Sequence, residues 1–404
     1  MANSAQVPSC VWPLAVEPLG ESLLGESLLG ASLLGKSARY PLLRFALLLW
    51  VSFGCSCGGS PNLAIVVASP TVELENAEPI AAWQTLRAPK MATVFEITLP
   101  GTATATAAAK LAFAAFDEVE RRMNEWRADS ELAQLNRAAG GPAQVVSADL
   151  FALLVVARHV ASQTDGAFDP TWAALWGLWD FRAGATPVVP EVQALARQVG
   201  LVGWQRLELN PALSTARLRE RGMVLGLGGI AKGWALDQAA AVLRRQGVRS
   251  ALLSAGGQLL AVGSGPQGPW LAGLRDPRGQ ASDLWATLEL HDGESLATSG
   301  DYEHYFEVAA VRYHHVLDPR TGWPAKGGRA AVVLVGCSGG VQPATPATLA
   351  DALGKPLLIL GQPDGLNKIE QFGYAQGLLV DHHGQWHASA PLRARLRVLR
   401  PPSP

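Results

Sequence analysis

A glycine-rich stretch that carries a single lysine is the part of this sequence best suited to binding a phosphate. Residues 226–233 read GLGGIAKG, between the apolar residues 223–225 and a helix-like stretch that begins at Trp234. Glycines let the backbone come close to a ligand, and the N-terminus of a helix attracts anions. The pattern therefore suggests a phosphate-binding loop with Lys232 as its cation.

Three general interpretations of this loop compete when it is taken alone. A Walker loop requires GxxxxGK followed by Ser or Thr, but here Lys232 precedes Gly233 and Trp234 follows, so this interpretation fails. A dinucleotide-binding GxGxxG loop is a weak match, because Ala231 stands at the last glycine and the loop comes late in the chain. The third interpretation is a tight turn between a strand and a helix, with Lys232 in solvent.

Three further segments place polar and aromatic residues in loops between predicted elements. Residues 165–181 (DGAFDPTWAALWGLWDF) hold Asp165 and Asp169 among turn-forming and aromatic residues, a pattern that also fits an aromatic corner of the core. Residues 296–306 (LATSGDYEHYF) and 312–324 (RYHHVLDPRTGWP) combine hydroxyls, acids and aromatics with glycine. Such clusters beside a glycine turn are typical of a ligand-binding site.

The order of these segments resembles the ApbE family of FAD:protein FMN transferases, also called flavin transferases or thiamine-biosynthesis lipoproteins. The resemblance covers roughly residues 90–390. It is carried by the motifs MATVF (91–95), MNEWRADSELAQLN (123–136), DGAFDPT (165–171), LGGIAKGWALD (227–237), SAGGQLLAVG (254–263), LRDPR (274–278), TSGDYEHYF (298–306), YHHVLDPRTGWP (313–324) and ADALGKPLLILG (350–361). So many motifs in one order specify the family far better than any one of them.

This resemblance implies a fold and a reaction. The fold is α+β, with antiparallel sheets flanked by helices in the tunnelling-fold-like ApbE architecture. Members of the family bind FAD and a divalent metal, usually magnesium, and cleave the pyrophosphate. They transfer the FMN moiety to a threonine or serine hydroxyl of an acceptor protein and release AMP. The implied partners of this chain are FAD and an acceptor protein that carries such a hydroxyl.

The matching motif positions assign roles to individual residues. Lys232 matches a cationic residue that binds the phosphates. The negative charge of the phosphates has to be neutralised for the pyrophosphate to break. For the metal, Gly229 matches a backbone carbonyl ligand and Asp351 a carboxylate ligand. His315 matches a histidine that takes the proton from the incoming hydroxyl. Beside Lys232, the positions matched to FAD-binding residues are Met91, Trp126, Ala167, Phe168, Asp169, Gly228, Gly229, Asp301, Tyr302 and Val316.

Two positions depart from the family pattern. Gly226 stands where the family commonly has an aspartate, and Lys355 stands where it has a hydroxyl or acid that binds the metal. An ammonium repels a cation, by about 4 kcal/mol per pair of unit charges at about 4 Å in an effective dielectric of about 20. Either Lys355 takes the place of the metal, or the protein binds flavin with little chemistry, or Pro356 shifts the helix so that Lys355 faces solvent. FAD pyrophosphatase activity is a further alternative.

Apolar periodicity and turn residues predict the elements that position these motifs. Helices are expected over residues 105–126, 150–163, 192–199 and 231–246, and the stretch 347–360 is ambiguous because Pro356 interrupts it. Strands are expected at 92–99, 249–254, 269–275, 285–290, 306–310, 313–317, 330–336 and 376–380. This strand-rich order with few βαβ units is typical of an α+β protein.

The N-terminal sequence sets the organisation of the chain. Residues 1–68 combine a five-residue low-complexity repeat at 20–37 with a basic flank, the apolar run FALLLWVSF and small residues. This pattern is typical of a secretory signal or membrane anchor. We therefore expect an exported protein, membrane-anchored or periplasmic, in a bacterial cell envelope. We expect a linker over 69–89, the flavin transferase domain over 90–392 and a tail over 393–404.

Composition excludes some classes of function. The chain has 404 residues and a formal net charge of −1, so no global basic field points to nucleic acid. Its four cysteines form no zinc motif.

Overall fold

The structure, a computed structural model, describes residues 82–182, 184–336 and 345–403. The predicted signal or anchor segment and the first part of the predicted linker lie outside these residues. The helices are α1 Ala103–Met123, α2 Glu131–Arg137, α3 Ala148–Gln163, α4 Val192–Val199, α5 Ala231–Arg245, α6 Pro346–Leu360, α7 Asp364–Glu370 and α8 Ala390–Arg395. The strands are β1 Trp83–Lys90, β2 Thr93–Pro100, β3 Gln144–Val145, β4 Leu207–Asn210, β5 Thr215–Leu218, β6 Ala251–Ala255, β7 Gln258–Val262, β8 Trp270–Arg275, β9 Leu284–Leu290, β10 Ser295–Gly300, β11 Tyr305–Val308, β12 Val311–His314, β13 Ala330–Val335, β14 Ala375–Val380, β15 Trp386–Ala388 and β16 Arg397–Val398. None of these helices has the length and apolarity that crossing a membrane requires.

An eight-stranded antiparallel sheet with the order β1-β2-β6-β7-β10-β13-β14-β15 forms the centre of the fold. The sheets β16-β9-β8 and β3-β5-β4 and the hairpin β11-β12 complete the described strands. Helices α1, α5 and α6 share one hydrophobic core with the central sheet, and β8 and β9 share a second core with it. The predicted α+β fold of antiparallel sheets flanked by helices is confirmed.

Strand β13, in the middle part of this sheet, has a continuous apolar sequence. All six of its residues are buried. Neighbouring side chains of a strand point to opposite faces, so Val333 joins the first core and Leu334 joins the second. A strand covered on both faces needs no polar residue in alternation.

Helices α5 and α6 are joined at their first turns. A Cβ at Gly233 would overlap the carbonyl oxygen of Ala347, so glycine allows this close approach. The Asp237 carboxylate accepts the N–H groups of Ala347 and Thr348 at 3.2 and 2.7 Å, which caps α6 from a neighbouring helix. Burial raises the pKa of Asp237 to about 6, although these hydrogen bonds oppose the shift. The junction places Asp351, one turn further along α6, against the start of α5.

Pro356 lies inside α6 and does not move its start. The helix runs without a break over Pro346–Leu360, so the hypothesis that Lys355 turns to solvent is wrong. A proline removes one helical hydrogen bond and crowds the preceding turn. Here α6 is buried against α5 and the central sheet, and that packing outweighs the local cost. Asp351 and Lys355 consequently lie one turn apart on the same face.

Two segments that the sequence predicts to be irregular are ordered parts of the fold. Strand β1 lies almost wholly in the predicted linker over 69–89, pairs with β2 along its whole length and packs Trp83 against the second core. The predicted tail over 393–404 completes α8, adds β16 to β9 and ends with Ser403 bonded to Asp276. Both predictions are wrong for these residues. Strand β1 pairs with its neighbour β2 across a short turn, and β16 pairs with the distant β9, which the local sequence at the end of the chain does not reveal.

Candidate active site

Asp351 on α6 is the centre of a small charged cluster. Its side chain is 4% exposed, and its Oδ2 accepts the backbone N–H of Gly233 at 3.1 Å and lies 3.7 Å from Lys232 Nζ. Its Oδ1 accepts a hydrogen bond from Lys355 Nζ, which also donates to the backbone carbonyl of Asp351 at 2.7 Å. We call Lys232, Asp351 and Lys355 the lysine–aspartate cluster. Two ammonium groups face one carboxylate, so the cluster has one positive charge in excess.

The pKa shifts in the cluster follow from burial and neighbouring charge. Burial alone would raise the pKa of Asp351, but the two ammonium groups and the Gly233 N–H outweigh it and hold that pKa below its usual range. Burial lowers the pKa of Lys355, Asp351 opposes that shift and Lys232 adds to it. An anion that approaches both lysines would relieve their mutual repulsion.

The glycine loop brings two predicted binding residues to this cluster. Lys232 Nζ donates to the carbonyl of Gly228 at 2.8 Å. A Cβ at Gly229 would lie 3.5 Å from Lys355 Cε and 3.6 Å from Phe168 Cε2, so this glycine sits between a lysine and an aromatic ring. At the start of α5 the N-cap residue Ile230 makes no side-chain hydrogen bond, the Ala231 N–H donates to the carbonyl of Leu227 at 2.8 Å, and the Gly233 N–H donates to Asp351. The glycine loop, the two lysines and the positive end of the α5 dipole together favour an anionic ligand.

His315 is an uncharged imidazole near the same loop. Burial, together with the charges of His304, His314 and Lys232, lowers its pKa to about 3. Its backbone N–H donates to the carbonyl of His304 at 3.0 Å, and the two rings meet edge to face at 5.4 Å. Within the part of the chain that the structure describes, its buried Nδ1 has no hydrogen-bond partner. A neutral ring with a free nitrogen can accept a proton.

Aromatic residues form a wall that leads to the glycine loop. Trp126 is 72% exposed and stacks on Trp176 with ring centroids 4.1 Å apart. Trp172 meets Trp176 edge to face at 6.0 Å and donates its indole N–H to the carbonyl of Gly226 at 3.0 Å. An exposed, stacked indole offers a flat surface to a planar ring.

Glu125 is a site residue that sequence reasoning missed. Burial raises its pKa, while the backbone N–H groups of Glu125 and Gly228 and the charge of Lys232 act in the opposite direction. A Cβ at Gly228 would lie 3.8 Å from Glu125 Oε1. The carboxyl group thus lies against the glycine loop. Its only signal in the sequence is its place beside Trp126, which does not distinguish it from a surface acid.

Asp169 shapes the loop that carries Phe168. One carboxylate oxygen accepts the N–H and the hydroxyl of Thr171 at 2.8 and 2.6 Å, and the other accepts the N–H of Trp204 at 2.9 Å. Burial raises its pKa, and these hydrogen bonds oppose the shift. Asp169 is 4% exposed, and both of its carboxylate oxygens accept hydrogen bonds from the protein.

Three other predicted FAD-binding residues lie in a turn and in the first core. Met91 occupies the turn between β1 and β2, where Met91 and Ala92 have φ angles of 48° and 58°. Such angles favour glycine or asparagine, and strain of this kind often accompanies function. Ala167 and Val316 are 0% and 6% exposed and belong to the first core.

Comparison with known proteins identifies the family. A sequence model of the ApbE family matches residues 91–378. The chain belongs to the ApbE family. It is 32% identical over 307 residues to an FAD:protein FMN transferase of Treponema pallidum (strain Nichols), which covers 72% of this chain and 82% of that protein. The resemblance predicted from the motifs is confirmed.

Two solved structures show the same architecture. The ApbE protein of Thermotoga maritima matches with a TM-score of 0.69 and 28% identity, over 78% of this chain and 100% of that one. The flavin transferase ApbE of Vibrio cholerae matches with a TM-score of 0.66 and 26% identity, also over 78% and 100%.

The structure explains why this ApbE chain has no aspartate at Gly226. A Cβ there would lie 2.8 Å from the Cβ of Ala173 and 3.1 Å from Trp172 Nε1. The aromatic wall therefore takes the room that a side chain at 226 would need.

Asp301 and Tyr302 have partners outside the lysine–aspartate cluster. Both oxygens of Asp301 bind the guanidinium of Arg278, each at 2.7 Å. The guanidinium of Arg275 lies 5.0 Å from the centre of the Tyr302 ring, which packs against the second core. Burial raises the pKa of the Tyr302 hydroxyl. In the described structure these two predicted residues form an arginine-lined group of their own.

The residues predicted to bind a metal do not fit a divalent cation. Magnesium requires octahedral oxygen coordination, but both carboxylate oxygens of Asp351 already face ammonium or N–H groups. The carbon chain of Lys355 lies over Gly229. Among the described residues, no group of three or more His, Cys, Asp or Glu could hold a metal ion.

Proposed function

We propose that this chain transfers the FMN moiety of FAD to a threonine or serine hydroxyl of an acceptor protein and releases AMP. The observation that carries the proposal is the pair of ammonium groups, Lys232 and Lys355, at the start of α5, with the neutral His315 within electrostatic range of Lys232. Relatives named FAD:protein FMN transferases support it.

The reaction is a displacement at phosphorus. The oxygen of the acceptor hydroxyl forms a bond to the phosphorus of the FMN moiety. The bond from that phosphorus to the bridging oxygen breaks, and AMP leaves with the electron pair. Lys232 and Lys355 offset the charge that develops on the phosphate oxygens.

His315 accepts the proton of the attacking hydroxyl. Its pKa near 3 keeps the ring unprotonated at neutral pH in the free protein. A pyrophosphate bound at the nearby lysines adds negative charge, which raises that pKa and makes the ring a stronger base. Binding of FAD would therefore prepare the base for the transfer step.

Transfer is tested by mass spectrometry of a threonine-containing acceptor peptide incubated with the full chain and FAD. We expect the peptide to gain the mass of one FMN moiety, with an equal amount of AMP released. A peptide with alanine in place of the threonine is the control, and His315→Ala should slow labelling. Release of FMN and AMP without labelling would indicate a pyrophosphatase. Flavin binding without release of AMP would indicate a binding protein.

We also propose that the chain is exported and held at a bacterial membrane or in the periplasm. The support is the sequence of residues 36–57, with its basic flank, apolar run and small residues. Cell fractionation of the full chain and of a variant without residues 1–68 tests this. Recovery of both from the cytosol in equal amounts would contradict it.

A further inference from the structure

The ammonium group of Lys355 has the surroundings that a bound cation would have at this site. It donates to the carboxylate of Asp351 and, at 2.7 Å, to the backbone carbonyl oxygen of the same residue. Its carbon chain lies over Gly229, the glycine whose carbonyl is the other predicted metal ligand. The contacts of a cation with a carboxylate, a main-chain oxygen and the glycine loop are thus all made by one side chain.

Lys355 is held in this position but remains partly accessible to solvent. It follows Asp351 by one turn of α6, which aims both side chains at the start of α5. The side chains of Lys355 and Lys232 are 23% and 25% exposed, while Asp351 is 4% exposed. Both lysines therefore remain accessible to a ligand, and the carboxylate between them neutralises only one of their two charges.

A divalent cation would have to displace this arrangement. It would need the oxygens of Asp351, which are used by Lys355 and by the N–H of Gly233. It would also stand beside two like charges, and the described residues supply no set of three acids, histidines or cysteines to offset them.

We propose that Lys355 is a built-in replacement for the divalent cation: together with Lys232 it binds the pyrophosphate of FAD directly, and the chain works without a metal. This inference rests on the proposed function, because it concerns how that same site holds FAD. Its tests use binding, so that they stay informative if transfer is not found.

The first test measures Mn²⁺ binding by electron paramagnetic resonance, with and without FAD. We expect no binding by the wild type at millimolar Mn²⁺. Lys355→Thr removes the ammonium and supplies an oxygen, so this variant should bind Mn²⁺ when FAD is present. Lys110→Thr, on an exposed position of α1, is the matched control and should behave as the wild type.

The second test measures FAD affinity by calorimetry in the presence of a chelator. Lys355→Met keeps the length of the side chain without its charge and should weaken FAD binding about tenfold or more. Lys355→Thr should also bind weakly, and added magnesium should restore its affinity. Magnesium should leave the affinity of the wild type unchanged.

The outcomes separate this inference from the proposed function. Mn²⁺ binding by the wild type, an affinity for FAD that rises about tenfold with magnesium, or equal affinities of wild type and Lys355→Met would each overturn the inference. The wild-type titration decides the matter even where a variant does not fold. Loss of transfer with the expected binding results would contradict the proposed function alone.

Discussion

Asp237 of α5 and Thr348 of α6 are joined through one carboxylate oxygen, which accepts the N–H of Thr348 at 2.7 Å and its hydroxyl at 2.6 Å. The two residues are 111 positions apart in the chain. Their contact fixes the first turn of α6 on α5, and so it sets the separation of Lys232 from Asp351.

Asp237→Ala should destabilise the fold. It leaves buried N–H and hydroxyl groups without a partner, which costs about 1–3 kcal/mol in the free energy of unfolding. Urea denaturation measures the change. Asp117→Ala is the control, since Asp117 pairs with Lys90 at the surface and such pairs contribute about 1 kcal/mol or less. Equal effects of the two substitutions would show that Asp237 does not hold the helices together.

Two glycines of the same loop should respond differently to alanine. Gly233→Ala places a methyl group on the carbonyl of Ala347 and should lower the melting temperature, although alanine normally stabilises a helix. Gly229→Ala adds a methyl group at ordinary contact distance from Lys355 and Phe168. It should leave the melting temperature nearly unchanged and weaken FAD binding. The opposite ranking would assign the close helix contact to Gly229.

Lys232→Ala should weaken the binding of FAD and leave that of riboflavin nearly unchanged. The ammonium lies at the junction of loop and helix, where it meets phosphate rather than the flavin ring. A charge-assisted hydrogen bond contributes about 1.5–3 kcal/mol. Fluorescence titration with both ligands measures the difference, with Lys110→Ala as the control. Equal weakening for the two ligands would make Lys232 a structural residue.

His315 should remain uncharged across the physiological pH range. Nuclear magnetic resonance of its ring should show no titration between about pH 5 and 8, whereas histidines of the denatured chain titrate near about 6.5. A midpoint for His315 between about 6 and 7 in the folded protein without ligand would contradict the buried environment described above.

The lowered pKa of His315 also makes the stability of the folded protein depend on pH. Because the folded-state pKa of His315 is about 3, the unfolded chain binds this proton first as the pH falls. The wild type should therefore lose stability relative to His315→Gln as the pH falls from about 6.5 towards 3, and the difference should be constant above about 7. Denaturation curves of both proteins over this range measure it. A stability difference between wild type and His315→Gln that grows above pH 7 would contradict this prediction.

Most of the elements around the site could be predicted from local patterns. Helix α1 has an apolar stripe at helical spacing, and α5 ends just before Gly247, as its sequence indicates. Strand β10 was missed, because Ser295–Gly300 reads as part of a polar loop but lies between β7 and β13. Its partners are distant in the sequence, and pairing with them decided its structure.

The sequence by itself determined the family and singled out the glycine loop with Lys232, Asp351 and His315, since each rests on a short local motif. Only the tertiary structure decided what Lys355 does. Locally, Pro356 favours a break in the helix. Burial of α6 against α5 and the central sheet outweighs that preference, and it keeps Lys355 one turn from Asp351 at the start of α5. That packing free energy comes from residues far apart in the chain, so no local pattern contains it.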